Sequence, residues 1–371
     1  MRLGVSRYTT VAARWSFAAQ YLVARGGKST MCGFAGVLGE LKGVDTQAMV
    51  TCLLHRGPDD GGQHSEKLAD GAGVWLGHRR LSIQDLSSAA HQPMLSSEGN
   101  VAIVFNGEIY NFHELRRELV NKGHSFRSSS DTEVIIALYR DDPRDFVRHL
   151  RGMFAIAIWD SAKNSLTLVR DRLGEKPLYF TRQRSRFLFA SEVRSLLASR
   201  VVERELDPDG LEAYLTFGAV ADPYTLVNGV EALGAGEMLV VRGESIERRT
   251  YWSVRDIPSN PQMSAEAASM LVRERLSSAV KRCMVADVPV AVLLSGGIDS
   301  SSNVVMLAQH GFLNLHTFSV VFGSADAAFS EAPYSTLVAE RFHTTHQQVE
   351  VKLDQAREHV ATAVAAMYQP S

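Results

Sequence analysis

The sequence predicts an α+β layered domain followed by an α/β domain with a parallel, doubly wound sheet. Three observations carry that expectation. Residues 32–181 hold short apolar strands interrupted by helices, the mixture of a sheet-containing layered domain. Residues 206–260 are rich in turn dipeptides. Beyond them strand and helix alternate regularly, as in parallel sheets.

In the first part, strands are expected at 33–38, 74–81, 101–106, 154–160, 166–171 and 178–181. The segment 113–120 reads as a helix because Leu115 and Leu119 lie one turn apart on the same face. The segment 131–139 opens with Asp131-Thr132-Glu133, suited to a helix N-terminus. Asp207-Pro208, Asp222-Pro223 and Asn228-Gly229 mark the bridge. Helices are then expected at 265–284, 299–310, 331–342 and 353–367, with strands at 290–294, 315–321 and 347–351. The divisions are 1–31, 32–205, a connecting region 206–262, and 263–371.

Net charge is −2, from 39 basic and 41 acidic residues, a balance that points to no nucleic-acid or membrane partner. No run of 18 apolar residues suggests a membrane span. Cys32, Cys52 and Cys283 are too few and scattered for a disulfide framework or zinc site, so a cytoplasmic location is expected. The first 30 residues carry Arg2, Arg7, Arg14, Arg25 and Lys28 and no acidic residue. They read either as a transit-type leader or as a start site placed upstream of Met31. The second reading is preferred, because Met31 stands directly before Cys32.

If Met31 is the initiator and is removed, Cys32 carries both a thiol and a free α-amine. An α-amine titrates at about 7.7–8.0, so a usable fraction is neutral and can take the thiol proton. Taken alone, Cys32 is more often a buried structural residue. The loop His55-Arg56-Gly57-Pro58-Asp59-Asp60 offers one guanidinium for a bidentate carboxylate clamp, or is simply a surface turn. Asn106-Gly107 reads as a hairpin turn, or as a side-chain amide and backbone N–H forming an oxyanion hole. Asp131 suits an N-cap, and with Glu108 it suits the ammonium of a free amino acid.

Further on, strand residues Val290–Leu294 run into Ser295-Gly296-Gly297-Ile298-Asp299-Ser300-Ser301 and a helix. Backbone N–H groups at such a turn favour an anion, the serines add donors, and Asp299 can hold Mg²⁺ against phosphates.

Eight runs of residues share their order and spacing with one family. They are Met31-Cys32-Gly33, His55-Arg56-Gly57-Pro58-Asp59, Gly77-His78-Arg79-Arg80-Leu81-Ser82-Ile83, and Asn106-Gly107-Glu108-Ile109-Tyr110-Asn111. Ser130-Asp131-Thr132-Glu133, Gly152-Met153-Phe154-Ala155, Arg170-Asp171-Arg172-Leu173-Gly174 and Ala190-Ser191-Glu192 complete them. This stretch resembles the glutaminase domain of class II, N-terminal-nucleophile amidotransferases, particularly the glutamine-dependent asparagine synthetase family. The loop at 295–301 resembles the pyrophosphate loop of the ATP-pyrophosphatase superfamily. The resemblance implies a four-layer αββα first domain and a tunnel carrying ammonia to the second domain. It implies that Cys32 attacks the amide of glutamine and that Asn106 and Gly107 hold the oxyanion. Arg56 would bind the α-carboxylate within the loop Gly57-Pro58-Asp59-Asp60, and Glu108 and Asp131 the α-amine. ATP would meet Leu293, Ser295, Gly296, Gly297, Ile298, Asp299, Ser300, Ser301 and Val320, with Mg²⁺ on Asp299. Glutamine, ATP and aspartate are the partners implied, and a homodimer is compatible with them. The family's second acid-rich motif and its helical C-terminal half do not occur here, so a truncated form is expected. The competing readings are an amidotransferase for another carboxylate acceptor, such as a surface polysaccharide, and a fragment with glutaminase activity only or none.

Overall fold

A computed structural model describes residues 31–68, 71–322, 330–351 and 360. The chain divides between Ser259 and Asn260 into two units. Residues 1–30, and all of the helix expected at 353–367 except residue 360, lie outside the described residues.

The first unit begins with β1 (Gly33–Gly39), α1 (Thr46–Thr51), β2 (Asp60–Lys67), β3 (Gly73–Arg80), β4 (Met94–Leu95) and β5 (Val101–Ile109). Helices α2 (Phe112–Asn121) and α3 (Asp131–Asp141) follow, then β6 (Gly152–Asp160), β7 (Ser165–Arg170), β8 (Tyr179–Gln183) and β9 (Arg186–Ala190). It closes with α4 (Val193–Ala198), α5 (Pro208–Phe217), β10 (Val230–Ala232), β11 (Glu237–Arg242) and β12 (Ser245–Thr250). One sheet has the order β10-β8-β9-β1-β3-β2 and the other β12-β11-β7-β6-β5-β4.

The alternation of strand residues explains the stacking. From β1, Phe34 and Leu38 enter a core shared with Leu76, Val104, Trp159, Leu168 and Leu239, which joins the two sheets. Ala35 and Val37, on the opposite face, pack with Met49, Val50 and Leu53 near α1 and Val193 and Leu196 of α4. Helix α3 covers the outer face of the second sheet, with Val134, Ile135 and Leu138 buried. The result is the αββα layering. A slip of β1 by one residue would exchange its two faces, so register is strongly specified. Phe34 meets Phe189 edge to face at 6.2 Å and is wholly buried. Phe34→Ala is expected to cost about 3–5 kcal/mol of unfolding free energy, measurable by denaturant titration.

Two features depart from the sequence reading. Asn106-Gly107 is no turn: it lies inside β5, paired with Ala155 and Phe154 of β6. The region assigned as connecting, 206–262, contributes to both sheets: β10 pairs with β8, and β11 with β7 and β12. Its Asp207-Pro208 starts a helix, with the Asp207 carboxylate accepting from Gly210 N–H at 2.8 Å. Short strands whose partners lie far back in the chain leave only a turn-rich trace in the sequence.

The second unit comprises α6 (Ala265–Arg282), β13 (Ala291–Leu293), α7 (Ile298–Gln309), β14 (His316–Phe322), α8 (Ala332–Arg341) and β15 (Thr345–Val351). The three strands are parallel, in sequence order, with α7 and α8 as crossovers. Val280, Val292, Leu294, Val304, Leu307 and Ala339 form its core.

Candidate functional site

Cys32 stands at the head of β1, at one end of the space between the sheets. Its thiol lies against Leu81, accepting from the backbone N–H at 3.3 Å and facing the carbonyl at 3.5 Å. The strand behind it is clamped, since Phe34 N–H donates to Ser191 Oγ at 3.1 Å and Ser191 N–H to the Phe34 carbonyl at 2.9 Å. Burial pushes the thiol up to about 11, and Glu108 adds to this against the opposing pull of Leu81 N–H, Arg80 and Arg56. Such a thiol reacts only with a base in contact.

The edge of β5 explains the neighbouring pair. Phe154 bonds toward Asp171, with its N–H on Oδ2 at 3.1 Å and its carbonyl accepting Asp171 N–H at 2.8 Å. The odd-numbered N–H groups of β5 therefore point away from β6. Phe105 N–H is taken by Gln92 Oε1 at 2.7 Å, and Ile109 N–H by Asp131 Oδ2 at 3.0 Å. Gly107 N–H, between them, has no partner among the described residues. A side chain at Gly107 would sit 2.1 Å from the Met153 carbonyl, so only glycine fits. Asn106 is 1% exposed, and its Nδ2 is also buried without a partner. Buried Asn106 Nδ2 and the N–H of half-buried Gly107 are thus adjacent donors on one strand edge, an arrangement able to take an anion.

Glu108 follows on the same strand and accepts from Gln84 Nε2. Burial, and then the Asp131 charge, hold its carboxyl well above the usual range. Asp131 is raised too, by burial, against the opposing pull of Ile109 and Thr132 N–H. The N-cap of α3 is Ser130, which accepts Thr132 N–H at 3.1 Å, leaving Asp131 to turn toward β5. The two carboxyls stand close enough for the Asp131 charge to act on Glu108.

Arg56 has a different task from the carboxylate clamp expected of it. Its Nη1 pairs with buried Glu192 at 2.8 Å and its Nε donates to the Cys32 carbonyl at 2.9 Å, leaving only Nη2 unpartnered. A guanidinium so engaged cannot present a free fork. It lies across Gly33, where a Cβ would come within 2.9 Å of Arg56 Cδ. Gly57 packs on the β3 backbone, while Pro58 is exposed. Asp59 accepts Ser82 N–H at 3.0 Å and Asp60 pairs with His91 at 2.8 Å, so both hold loops.

Sequence reasoning passed over Arg80 and Lys176. Arg80 is 6% exposed, donates to the Gln84 and Asp85 carbonyls at 2.9 and 2.6 Å, and acts electrostatically on both Cys32 and Glu108. Its signal was the run His78-Arg79-Arg80-Leu81, whose alternation places residue 80 on the same face as 78. His78 bridges the sheets, its Nε2 3.0 Å from the Phe105 carbonyl, and burial drives it down to about 3, so it is neutral.

In the second unit the loop after β13 is built for close approach. Gly296 has φ +87°, and a Cβ there would meet Tyr334 at 2.5 Å. Ser295 Oγ lies 3.0 Å from Ser300 Oγ and accepts Gly297 N–H at 3.2 Å. Ser301 Oγ is buried and unpaired, Ile298 and Asp299 are exposed at the start of α7, and Gly297 gives that helix no side-chain cap. Leu293 on β13 is half-buried, and Val320 on β14 is exposed. Uncapped N–H groups at a helix start favour an anion. Among the described residues no group of three or more His, Cys, Asp or Glu forms a metal centre, and no helix is long and apolar enough to cross a membrane.

The first unit thus gathers a thiol at a strand head, two adjacent donors on a strand edge and a pair of carboxyls. Residues 31–252 match the family model for a glutamine amidotransferase domain, and residues 271–371 the model for asparagine synthase. Three Bacillus subtilis proteins are similar to this chain. Asparagine synthetase [glutamine-hydrolyzing] 3 is 32% identical over 90% of this chain and 56% of its own length. Asparagine synthetases [glutamine-hydrolyzing] 2 and 1 are 35% and 38% identical, over 86% and 81% of this chain and 44% and 47% of their own lengths. The chain belongs to the glutamine amidotransferase family, in the group where that domain precedes an asparagine synthase domain. It spans about half the length of these curated relatives.

Proposed function

We propose that the first unit hydrolyses glutamine at Cys32 and that the ammonia serves an ATP-dependent asparagine synthesis. The observation that carries the first step is the pair of unpartnered donors, Asn106 Nδ2 and Gly107 N–H, on the β5 edge. The thiol of Cys32 attacks the side-chain amide carbon, its proton passing to the α-amine that removal of Met31 would free. The tetrahedral oxyanion rests on Asn106 and Gly107. The same proton then leaves with ammonia, and water releases glutamate from the thioester. Glu108 and Asp131 hold the substrate ammonium, and Arg80 is the guanidinium best placed to meet its carboxylate.

In the second unit the Ser295–Ser301 loop is read as the ATP phosphate cradle, with Leu293 and Val320 beside the base. Mg²⁺ keeps several waters and takes one or two carboxylates, so exposed Asp299 suffices as its protein ligand, and bound there it would neutralise phosphate charge. Aspartate is the acceptor suggested by the relatives' names, and a cytoplasmic setting fits three free cysteines. The test is release of glutamate from glutamine by the chain processed to Cys32. Absence of release would overturn the glutaminase reading.

The carboxylate pair gives a signed prediction. Because Glu108 titrates higher folded than unfolded, the folded state binds more protons between those two values. Stability is therefore lost as pH rises from the ordinary carboxylate range through the folded value. Glu108→Gln removes that loss, so the variant's melting temperature should exceed the wild type's increasingly with pH. Its KM for glutamine should rise roughly tenfold or more, as a charged hydrogen bond is lost. A melting difference independent of pH would contradict this.

A further inference from the structure

Lys176 is buried to 4% exposure yet no step above uses it. Its Nζ meets a thioether, Met31 Sδ at 3.2 Å, which is a weak acceptor for a buried ammonium. The loop that carries it is held from both sides. Asp171 Oδ1 accepts Leu173 and Glu175 N–H, each at 3.0 Å, and Oδ2 accepts Lys176 N–H at 2.9 Å. Arg170 donates to the Lys176 carbonyl at 3.0 Å and the Gly174 carbonyl at 2.8 Å. A loop tied this closely fixes a cation against the residue directly preceding the nucleophile.

We propose that Lys176 is a positioning residue of the glutaminase, whose ammonium stands at the amino end of Cys32 and keeps that amine in its neutral, proton-accepting form. The proposal rests on the reading of Cys32 as a terminal nucleophile. Once Met31 is gone, the ammonium loses its thioether and faces the new amine. Two positive charges in one desolvated pocket repel, so the amine releases its proton more readily. The groups facing Lys176 are Arg56, Glu108, Glu175 and Asp171, and those facing Cys32 are Glu108, Arg80 and Arg56. Burial and then Arg56 draw the Lys176 ammonium below its ordinary value, and Glu108, Glu175 and Asp171 pull the other way. No proton moves through Lys176: the thiol proton goes to the α-amine and then to ammonia.

The test is the pH dependence of kcat/KM for glutamine hydrolysis, whose acid limb reports the free-enzyme base. It uses the chain processed to Cys32, with Lys176→Met, Lys176→Gln, Lys176→Arg and Cys32→Ala beside the wild type. The Met and Gln variants should move the acid limb to higher pH by about one unit, roughly tenfold less activity on that limb, with the plateau nearly unchanged. The Arg variant, which keeps the charge, should leave the limb in place. A limb that stays put in both neutral variants, or moves equally in the Arg variant, overturns the proposal. A wild type that releases no glutamate, or a Cys32→Ala variant as active as wild type, overturns instead the reading beneath it.

Discussion

Cys32→Ala abolishes glutamate release, lowering kcat/KM by about 10⁴-fold or more, while the melting temperature changes little. A protein that keeps any residue bonded to the Cys32 nitrogen should be equally silent. Its thiol, pushed up to about 11, is ionised at neutral pH in only about one molecule in 10⁴. The amide nitrogen of a peptide bond cannot take the proton. Parallel assays of glutamate release, with the N-terminus read by mass spectrometry, check both statements. Full turnover from a protein with Met31 attached would refute the terminal-amine base.

Asn106→Ala should lower kcat by about 10²–10³-fold, the usual loss of one oxyanion donor. Its effect on stability should run the other way. Asn106 Nδ2 is buried and unpaired in the resting protein, and an unsatisfied buried donor costs about 1–3 kcal/mol. Removing it should leave the melting temperature unchanged or higher. A variant that loses activity together with stability would instead assign Asn106 a structural role. Calorimetry beside steady-state kinetics separates the two.

Much of this was legible in the residues. The strands at 101–106 and 154–160 show as apolar runs, and the Ser295–Ser301 loop shows as a strand-to-helix turn. What the sequence hid has a common physical cause: it depends on partners far away in the chain. Asn106-Gly107 carries the local signal of a turn, yet pairing with β6 holds it extended. Arg56 looks like a free guanidinium until Glu192, 136 residues on, is seen against it. Leu81 acts on the thiol through its backbone, which no side-chain pattern reports. Lys176 gains its meaning only from a loop folded around Asp171.

The strands at 230–250 bear on how the glutaminase should be cut for expression. Ending at residue 205 strips β10 from β8 and β11 from β7, leaving two bare sheet margins open to self-association. The same cut removes Asp222, the Leu233 carbonyl and Tyr251, all bonded to Arg170. Arg170 in turn grips the loop bearing Lys176, so a shortened piece would aggregate and misplace its buried lysine together. A piece ending at Ser259 keeps every one of these partners.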